Sequence, residues 1–236
     1  MEQNKQRIVV KVGTSTLTHN SGALDLWSME HLVRTLADLQ GMGHEVILVS
    51  SGAIAVGTAK LGLSERPKEL RMKQAAAAVG QCRMMHIYDK FFSEYNRSMA
   101  QILLTGDDVE DPERAEHLSN TFSALLEMGV IPVVNENDSV SSAEIETGRH
   151  KVLGDNDTLS AIVAELCRAD LLVLLSDIDG LYDADPKTHP EAKLLHQVTE
   201  LTPEILEMAG GAGSWRGTGG MATKLSAARI AMEAGC

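Results

Sequence analysis

Lys11 is a charged residue inside an apolar run, in the segment VKVGTST at residues 10–16. Burying a lysine without a partner is costly, because its charge loses hydration. Lys11 therefore lies at a sheet edge, with its stem over apolar surface, or it faces an anion. The Gly-Thr-Ser turn after it favours the anion, since the backbone N–H groups of such a turn point at one concave spot that suits phosphate.

A second lysine, Lys224, closes the glycine-rich segment GTGGMATK at residues 217–224. This segment is not a Walker P-loop, in which the lysine directly follows the last glycine. Residues 217–222 match the dinucleotide pattern G-x-G-x-x-A, but no hydrophobic strand precedes them, as that fingerprint requires. We therefore interpret the segment as a nucleotide-phosphate loop in which Lys224 acts as a point charge and which leads into a helix over 225–234.

Two clusters rich in Asn and Asp follow in the second half of the chain, VNENDSV at 134–140 and GDNDTLSA at 154–161. These residue types are common in turns, but the clustering is too dense for turns alone. The carboxylates of Asp138, Asp155 and Asp157 can hold an ammonium group or orient lysines; without cations they would raise one another's pKa. A metal site is the alternative, although no histidine accompanies them and the EF-hand pattern is absent.

Two further polar segments stand at the ends of apolar runs. In VSSGAIA at 49–55, Ser50 or Ser51 either caps a helix or forms part of an anion site at a helix N-terminus. In LLSDIDGLYD at 174–183, Asp177 and Asp179 either bind Mg2+ or close a turn before a glycine. The residues alone leave both choices open.

Composition excludes several classes of function. The net charge is -12 and only 3% of residues are aromatic, so neither nucleic acid nor an anionic membrane surface is an expected partner. The eight histidines show no metal spacing and suggest no catalytic triad. Three cysteines without a C-x-x-C pair, read as small buried hydrophobic residues, fit a reducing compartment. With no apolar stretch long enough for a membrane span and no signal peptide, we expect a cytoplasmic protein.

The elements that must position these residues alternate along the chain. Continuous apolar runs predict strands covered on both faces; they lie at 8–12, 45–49, 101–104, 130–134 and 171–175. Helical spacing of apolar residues marks segments between them, one over 29–39 and another over 122–128. This order predicts an α/β sandwich around a mainly parallel sheet, with ligands at the carboxyl ends of the strands.

The ordered set of five segments resembles the amino acid kinase family. They are KVGTS at 11–15, SSGA at 50–53, NEND at 135–138, GDND at 154–157 and GTGGMATK at 217–224. Each motif is common by itself, but all five in this order, over essentially the whole chain, are specific. The resemblance implies a three-layer αβα sandwich that binds ATP with Mg2+ at one end and L-glutamate at the other. It further implies phosphorylation of the glutamate side-chain carboxylate, the first step of proline biosynthesis.

The resemblance also implies roles for single residues. Lys11 and Lys224 would contact the transferring phosphoryl group, with Asp157 holding both. The residues implied to bind L-glutamate are Ser51, Asp138 and Asn156. Those implied to surround ATP, besides Lys11, are Ser176, Asp177, Thr218, Gly219, Gly220, Met221, Ala222, Thr223 and Lys224. No protein ligand for a resident metal is implied; a homo-oligomer and a glutamyl phosphate reductase that receives the product are the implied partners.

Two departures and two rivals accompany the resemblance. The loop 145–152 is longer than expected between the acidic clusters. We expect one kinase domain over 1–236, without a PUA domain and with a C-terminal strand missing after Cys236. The nearest rival is a relative with another acceptor, such as an acetylglutamate kinase, an aspartokinase or a nucleoside monophosphate kinase. The other is a non-catalytic sensor of nucleotide or amino acid, against which the two lysines argue.

Overall fold

Five short strands carry the apolar runs and form one parallel sheet. The structure, a computed structural model, describes residues 5–141, 155–209 and 220–236. The strands are β1 (Arg7–Lys11), β2 (Glu45–Val49), β3 (Met99–Leu104), β4 (Ile131–Glu136) and β5 (Leu171–Leu174). Their order is β3-β4-β2-β1-β5, with every pairing parallel. All five predicted strands are confirmed, and no end differs from its prediction by more than two residues.

Helices connect the strands and end the described chain. They are α1 (Thr14–Leu17), α2 (Leu26–Gly41), α3 (Ala53–Lys60), α4 (Leu70–Glu94), α5 (Gly106–Glu110), α6 (Pro112–Glu127), α7 (Asn156–Cys167), α8 (Pro203–Met208) and α9 (Met221–Glu233). The apolar stripes at 29–39 and 122–128 lie on α2 and α6, as predicted. The helix expected over 225–234 is α9, which begins four residues earlier.

Alternation along the central strands divides the core into two clusters. Ile8 and Val10 of β1 pack in a cluster with residues of α2, α3 and α4. Val9 belongs to a second cluster, with residues of α6 and α7. Successive side chains of a strand point to opposite faces, so the two clusters lie on opposite sides of the sheet. The predicted three-layer αβα sandwich is thereby confirmed.

The long helix α4 was not predicted, and its buried face explains why. Besides large apolar residues, that face contains Gly80 and Gln81, which hydropathy does not mark as core. A Cβ on Gly80 would lie 1.8 Å from the carbonyl oxygen of Ala53, and one on Gly57 would lie 1.7 Å from that of Ala76. Glycine at these two positions therefore allows α3 and α4 to pack backbone against backbone.

The cysteines differ from their expected burial. Cys167 is buried, and burial raises the pKa of its thiol to about 12. Cys236 is partly buried, but Cys82 is exposed on α4, so the prediction of three buried cysteines is wrong for that residue. Cys82 lies next to the buried Gln81 but on the outward-facing side of the helix.

Two expectations concern membranes and the acidic loop. Within the described ranges, the structure has no helix with the length and apolar character of a membrane span. The loop 145–152, expected to be longer than in relatives, lies outside the described residues, as do Thr218 and Gly219 of the glycine-rich segment.

Candidate active site

The carboxyl ends of four strands open into one cleft of about 1050 Å³. Lys11 is the last residue of β1, Ser51 lies two residues after β2, Asn135 is the penultimate residue of β4, and Ser176 lies two residues after β5. In a parallel sheet these ends share one edge, so residues distant in sequence meet there.

Most of the site residues predicted from the sequence line this cleft. They are Lys11, Ser51, Asp138, Asn156, Asp157, Ser176, Asp177, Gly220, Met221 and Lys224. Ala222 and Thr223 lie in the first turn of α9 but do not line the cleft. The structure thus brings the predicted residues together, while the roles assigned to them stay predictions.

Asp157 is the electrostatic centre of the cleft. Its side chain is buried, and one oxygen, Oδ1, lies 2.7 Å from the ammonium nitrogen of Lys11. The other oxygen, Oδ2, accepts a hydrogen bond from the Thr223 hydroxyl at 2.7 Å and lies 3.4 Å from Nζ of Lys224. A single carboxylate therefore holds two lysines from opposite ends of the sequence. Since β1 lies between β2 and β5, the alternative that Lys11 lies on a sheet edge is wrong.

Asp157 stays ionised despite its burial. Burial by itself raises the pKa of this carboxyl group, because a charge in a low-dielectric site loses hydration. The hydrogen bonds from Lys11 and Thr223, together with the charges of both lysines, outweigh that effect and hold the pKa below its usual value. Around Asp157, one fixed negative charge therefore lies between two ammonium groups, and this local excess of positive charge favours an anion at that point of the cleft.

The other two aspartates of the clusters have different surroundings. Asp155 caps α7: its carboxylate accepts from the backbone N–H of Thr158 at 2.9 Å and from the Thr158 hydroxyl at 3.1 Å. Asp138 lies beyond the end of β4, partly exposed on the cleft wall. The two Asn/Asp clusters therefore combine helix capping, lysine binding and a carboxylate that faces the cleft.

The serine turn after β2 forms a wall of the cleft next to the start of α7. The Ser51 hydroxyl donates to the carbonyl of Val12 at 2.9 Å, and the Ser50 hydroxyl pairs with Tyr88 at 2.9 Å. Neither serine caps α3; the cap position is Gly52, whose φ of 105° suits glycine. The alternative that Ser50 or Ser51 is the N-cap is therefore wrong, because both side chains are used to fix the turn.

The residues that could hold a metal are sparse. Within residues 5–141, 155–209 and 220–236, no group of three His, Cys, Asp or Glu side chains could hold an ion. Asp177 is exposed and lines the cleft, whereas Asp179 accepts a hydrogen bond from Tyr182 and does not line it. Of the two aspartates considered for Mg2+, only Asp177 is thus placed to meet a ligand in the cleft.

Sequence reasoning missed several cations of the cleft wall. Arg66 and Lys68 come from the segment before α4, and Lys187 from the long connection after β5. All three lie in loops with no motif around them, so the sequence gives no signal that separates them from ordinary surface charges. Asn135 was recognisable, since it belongs to the NEND segment at the end of a predicted strand.

A comparison with protein families decides between the possible uses of this fold. The family model described as "Amino acid kinase family" matches residues 6–236, which is nearly the whole chain. The chain belongs to the amino acid kinase family. The predicted resemblance is confirmed at the level of the family, and the cleft at the carboxyl edge of the sheet is the candidate active site of this amino acid kinase.

Curated relatives cover the same length. This amino acid kinase is 56% identical over 233 residues to a protein of Clostridium perfringens named glutamate 5-kinase, a match that spans 99% of the chain and 86% of the relative. It is also 56% identical to the glutamate 5-kinase of Clostridium acetobutylicum, over 98% of the chain and 85% of the relative.

A solved structure supports the fold independently. The carbamate kinase from Giardia lamblia bound to AMP-PNP superposes with a TM-score of 0.61 and covers 99% of this chain and 90% of its own. Its sequence is only 15% identical, so this likeness supports the fold and says nothing about the acceptor.

Proposed function

We propose that this chain is a glutamate 5-kinase, which transfers the γ-phosphoryl group of ATP to the side-chain carboxylate of L-glutamate. The products are ADP and γ-glutamyl phosphate, and the reaction opens proline biosynthesis. The observation that carries the proposal is the pair of lysines on Asp157 in the cleft, in a chain 56% identical to proteins named glutamate 5-kinase.

The nucleophile in this reaction requires no general base. A glutamate side chain has a pKa of about 4.3 and is ionised at neutral pH. One carboxylate oxygen attacks the γ-phosphorus, the new O–P bond forms, and the bond to the β-phosphate oxygen breaks as ADP leaves. The absence of a catalytic histidine from the motifs is what this chemistry predicts.

The difficulty lies instead in the repulsion between a carboxylate and a polyphosphate. Lys11 and Lys224 place two ammonium groups in the cleft, while Asp157 fixes their positions without neutralising both. Fixed positive charge of this kind lowers the barrier, because it need not reorganise as charge moves. We assign Lys11, Lys224 and Asp157 the catalytic role on that ground.

The nucleotide would lie between β5 and the start of α9. Ser176, Asp177, Gly220 and Met221 line that part of the cleft. A helix N-terminus such as that of α9 suits phosphate, because its backbone N–H groups have no partner within the helix. Mg2+ bound to the phosphates would offset their charge. Mg2+ that is bound to nucleotide phosphates needs at most one or two protein carboxylates as further ligands. The exposed Asp177 could supply one of them.

L-Glutamate would lie against the serine turn and the start of α7. Ser51, Asp138 and Asn156 line this part of the cleft and offer a hydroxyl, a carboxylate and an amide. The carboxylate of Asp138 suits the free α-ammonium group. An acylated amine carries no charge to match it, which favours glutamate over N-acetylglutamate as the acceptor.

A panel of acceptors tests this function. The protein is incubated with ATP, Mg2+ and hydroxylamine, which traps an acyl phosphate as a hydroxamate, and with L-glutamate, N-acetyl-L-glutamate or L-aspartate. We expect hydroxamate with L-glutamate alone. A response to either other acid would assign another acceptor, and ATP binding with no hydroxamate from any acid would indicate a sensor. Lys224→Met, purified in parallel, controls for a contaminating kinase.

Three finer points belong to the same proposal. An acyl phosphate hydrolyses and cyclises readily, so direct transfer to a glutamyl phosphate reductase would protect the product. A homo-oligomeric state and a cytoplasmic location complete the proposal. The first two rest on the family resemblance and on the chemistry of the product, and the location rests on the cysteine pattern, which fits a reducing compartment.

A further inference from the structure

The side-chain amide of Asn156 has only one orientation that the surrounding atoms permit. One of its terminal atoms lies 2.7 Å from the backbone carbonyl oxygen of Ser50. A carbonyl oxygen only accepts hydrogen bonds, so this atom must be the nitrogen, Nδ2. The same nitrogen donates to Oδ1 of Asn135 at 3.0 Å, and its two hydrogens are then both used. The carbonyl oxygen of Asn156 is the remaining polar atom of the side chain, and Asn156 lines the cleft.

The Asn156 amide is connected to α4 by hydrogen bonds between buried side chains. Since Asn135 accepts through Oδ1, its own nitrogen faces Gln81 and donates to Oε1 of Gln81 at 2.9 Å. Asn135 is 2% exposed and Gln81 is 8% exposed. A buried amide of this kind cannot exchange a lost partner for water. Gln81 Nε2 has no hydrogen-bond partner among the described residues, so Oε1 is the atom that joins this side chain to Asn135.

Helix α4 supports the same amide from a second side. Two turns after Gln81, the hydroxyl of Tyr88 forms a hydrogen bond with the hydroxyl of Ser50. The backbone carbonyl of Ser50 accepts the hydrogen bond from the Asn156 amide. Residues seven apart lie on one helix face, so one face of α4 contacts both Ser50 and Asn135, the two residues that accept hydrogen bonds from the Asn156 amide. The first turns of this helix line the cleft, but Gln81 and Tyr88 do not.

We propose that Gln81 is a positioning residue, which acts through Asn135 to make Asn156 present a hydrogen-bond acceptor to the α-ammonium group of the substrate. The inference rests on the proposed function and adds a determinant of specificity to it. An acceptor held in this way selects a free amine, since a substrate without one leaves the oxygen unpaired in the cleft. Without Gln81, the Asn135 amide can turn its own nitrogen towards Asn156. Among the described residues, the Ser50 carbonyl is then the one remaining acceptor for the Asn156 amide, which is held less firmly in place.

The test compares glutamate with glutarate, which has the same two carboxylates but no amine. The KM for L-glutamate and the inhibition constant of glutarate are measured for the wild type, Gln81→Met and Gln81→Glu. Methionine matches glutamine in shape without an amide oxygen, and glutamate keeps an oxygen that can accept from Asn135. We expect Gln81→Met to reduce the preference for glutamate about five- to ten-fold, the factor for one lost hydrogen bond. The KM for ATP should not change, and Gln81→Glu should keep most of the preference.

The controls separate this inference from the proposed function. Met84→Leu changes a fully buried residue of the same helix that lies in the apolar core, and its preference should equal that of the wild type. If Gln81→Met weakens both acids equally or neither, or if Gln81→Glu loses as much preference as Gln81→Met, Gln81 does not position Asn156. Failure of the wild type to phosphorylate glutamate would instead contradict the proposed function.

Discussion

Lys11 and Lys224 share one carboxylate but differ in how far the protein surrounds them. The Lys11 side chain is 9% exposed and its nitrogen lies 2.7 Å from Asp157, whereas Lys224 is 18% exposed and lies 3.4 Å away. Loss of one partner from a buried ion pair is strongly destabilising, because the other charge stays buried. Lys11 is therefore expected to contribute to stability as well as to turnover, and Lys224 mainly to turnover.

Replacement of each lysine by methionine separates the two contributions. Loss of a fixed charge that stabilises the transition state lowers turnover about 10²–10³-fold, so we expect a decrease of this size in kcat for both variants. We expect the melting temperature to fall clearly for Lys11→Met and little for Lys224→Met. Steady-state kinetics and thermal unfolding measure the two quantities.

The control is Lys90→Met, which changes an exposed lysine of α4 that does not line the cleft. Its kcat and melting temperature should equal those of the wild type. Near-normal turnover in Lys224→Met would remove that lysine from the mechanism, and equal thermal stability of the two cleft variants would contradict the difference in burial.

At the scale of elements, the approach of α3 to α4 sets the position of the serine turn. The α3 helix begins at Ala53, directly after Ser51 and Gly52. The carbonyl oxygen of Ala53 lies where a Cβ on Gly80 would be, so the first turn of α3 rests on the backbone of α4. A side chain at this crossing must displace the turn that lines the cleft.

Gly80→Ala tests that dependence. Overpacking of a core contact costs about 1–3 kcal/mol, and we expect the free energy of unfolding to fall by that amount. We also expect a higher KM for L-glutamate, with a smaller effect on the KM for ATP, whose proposed site lies beside β5 and α9. Denaturant titration and steady-state kinetics give both results.

Gly41→Ala is the matched control. A Cβ there would meet only the guanidinium end of Arg97, at 3.0 Å, a flexible group that can move. This variant should retain the stability and both KM values of the wild type. If Gly80→Ala behaves in the same way, the close crossing does not position the serine turn.

The elements differ in how well the sequence predicts them, and the reason is physical. The strands are buried on both faces and read as continuous apolar runs, so they were found within two residues. The α4 helix was missed because its buried face combines Ala76, Ala77, Gly80 and Gln81 with large apolar residues. For the same reason the contribution of Gln81 could not be predicted, since a glutamine in a helix usually faces solvent.

At the scale of the whole molecule, the cleft lining offsets the acidic character of the chain, because it contains six Lys or Arg and six Asp or Glu side chains. The net charge is -12, yet the proposed substrates are both anions. The basic residues that line the cleft and can meet these anions are Lys11, Arg66, Lys68, Lys73, Lys187 and Lys224. The sequence identified only the two motif lysines among these cations, since the others reach the cleft through the fold alone.

The parallel sheet and its layers followed from the alternation of elements, but the strand order did not. Each strand presents a similar apolar run, so the pattern holds no information on which strands are neighbours. The order places β1 between β2 and β5, which buries Lys11 and commits it to Asp157. The assembly of the site therefore depends on a property that only the structure supplies.

The central claim is that the side-chain carboxylate of glutamate itself attacks ATP, and oxygen-18 tests it directly. The protein is incubated with ATP, Mg2+ and L-glutamate labelled in the side-chain carboxylate, and the phosphate released after cyclisation is analysed by mass spectrometry. Attack by the carboxylate leaves a labelled oxygen bridging carbon and phosphorus, and cyclisation at the carbonyl carbon expels it with the phosphate. We expect phosphate that carries one oxygen-18 atom. Unlabelled phosphate, released with ADP at the same rate, would show that water is the acceptor and would contradict the account.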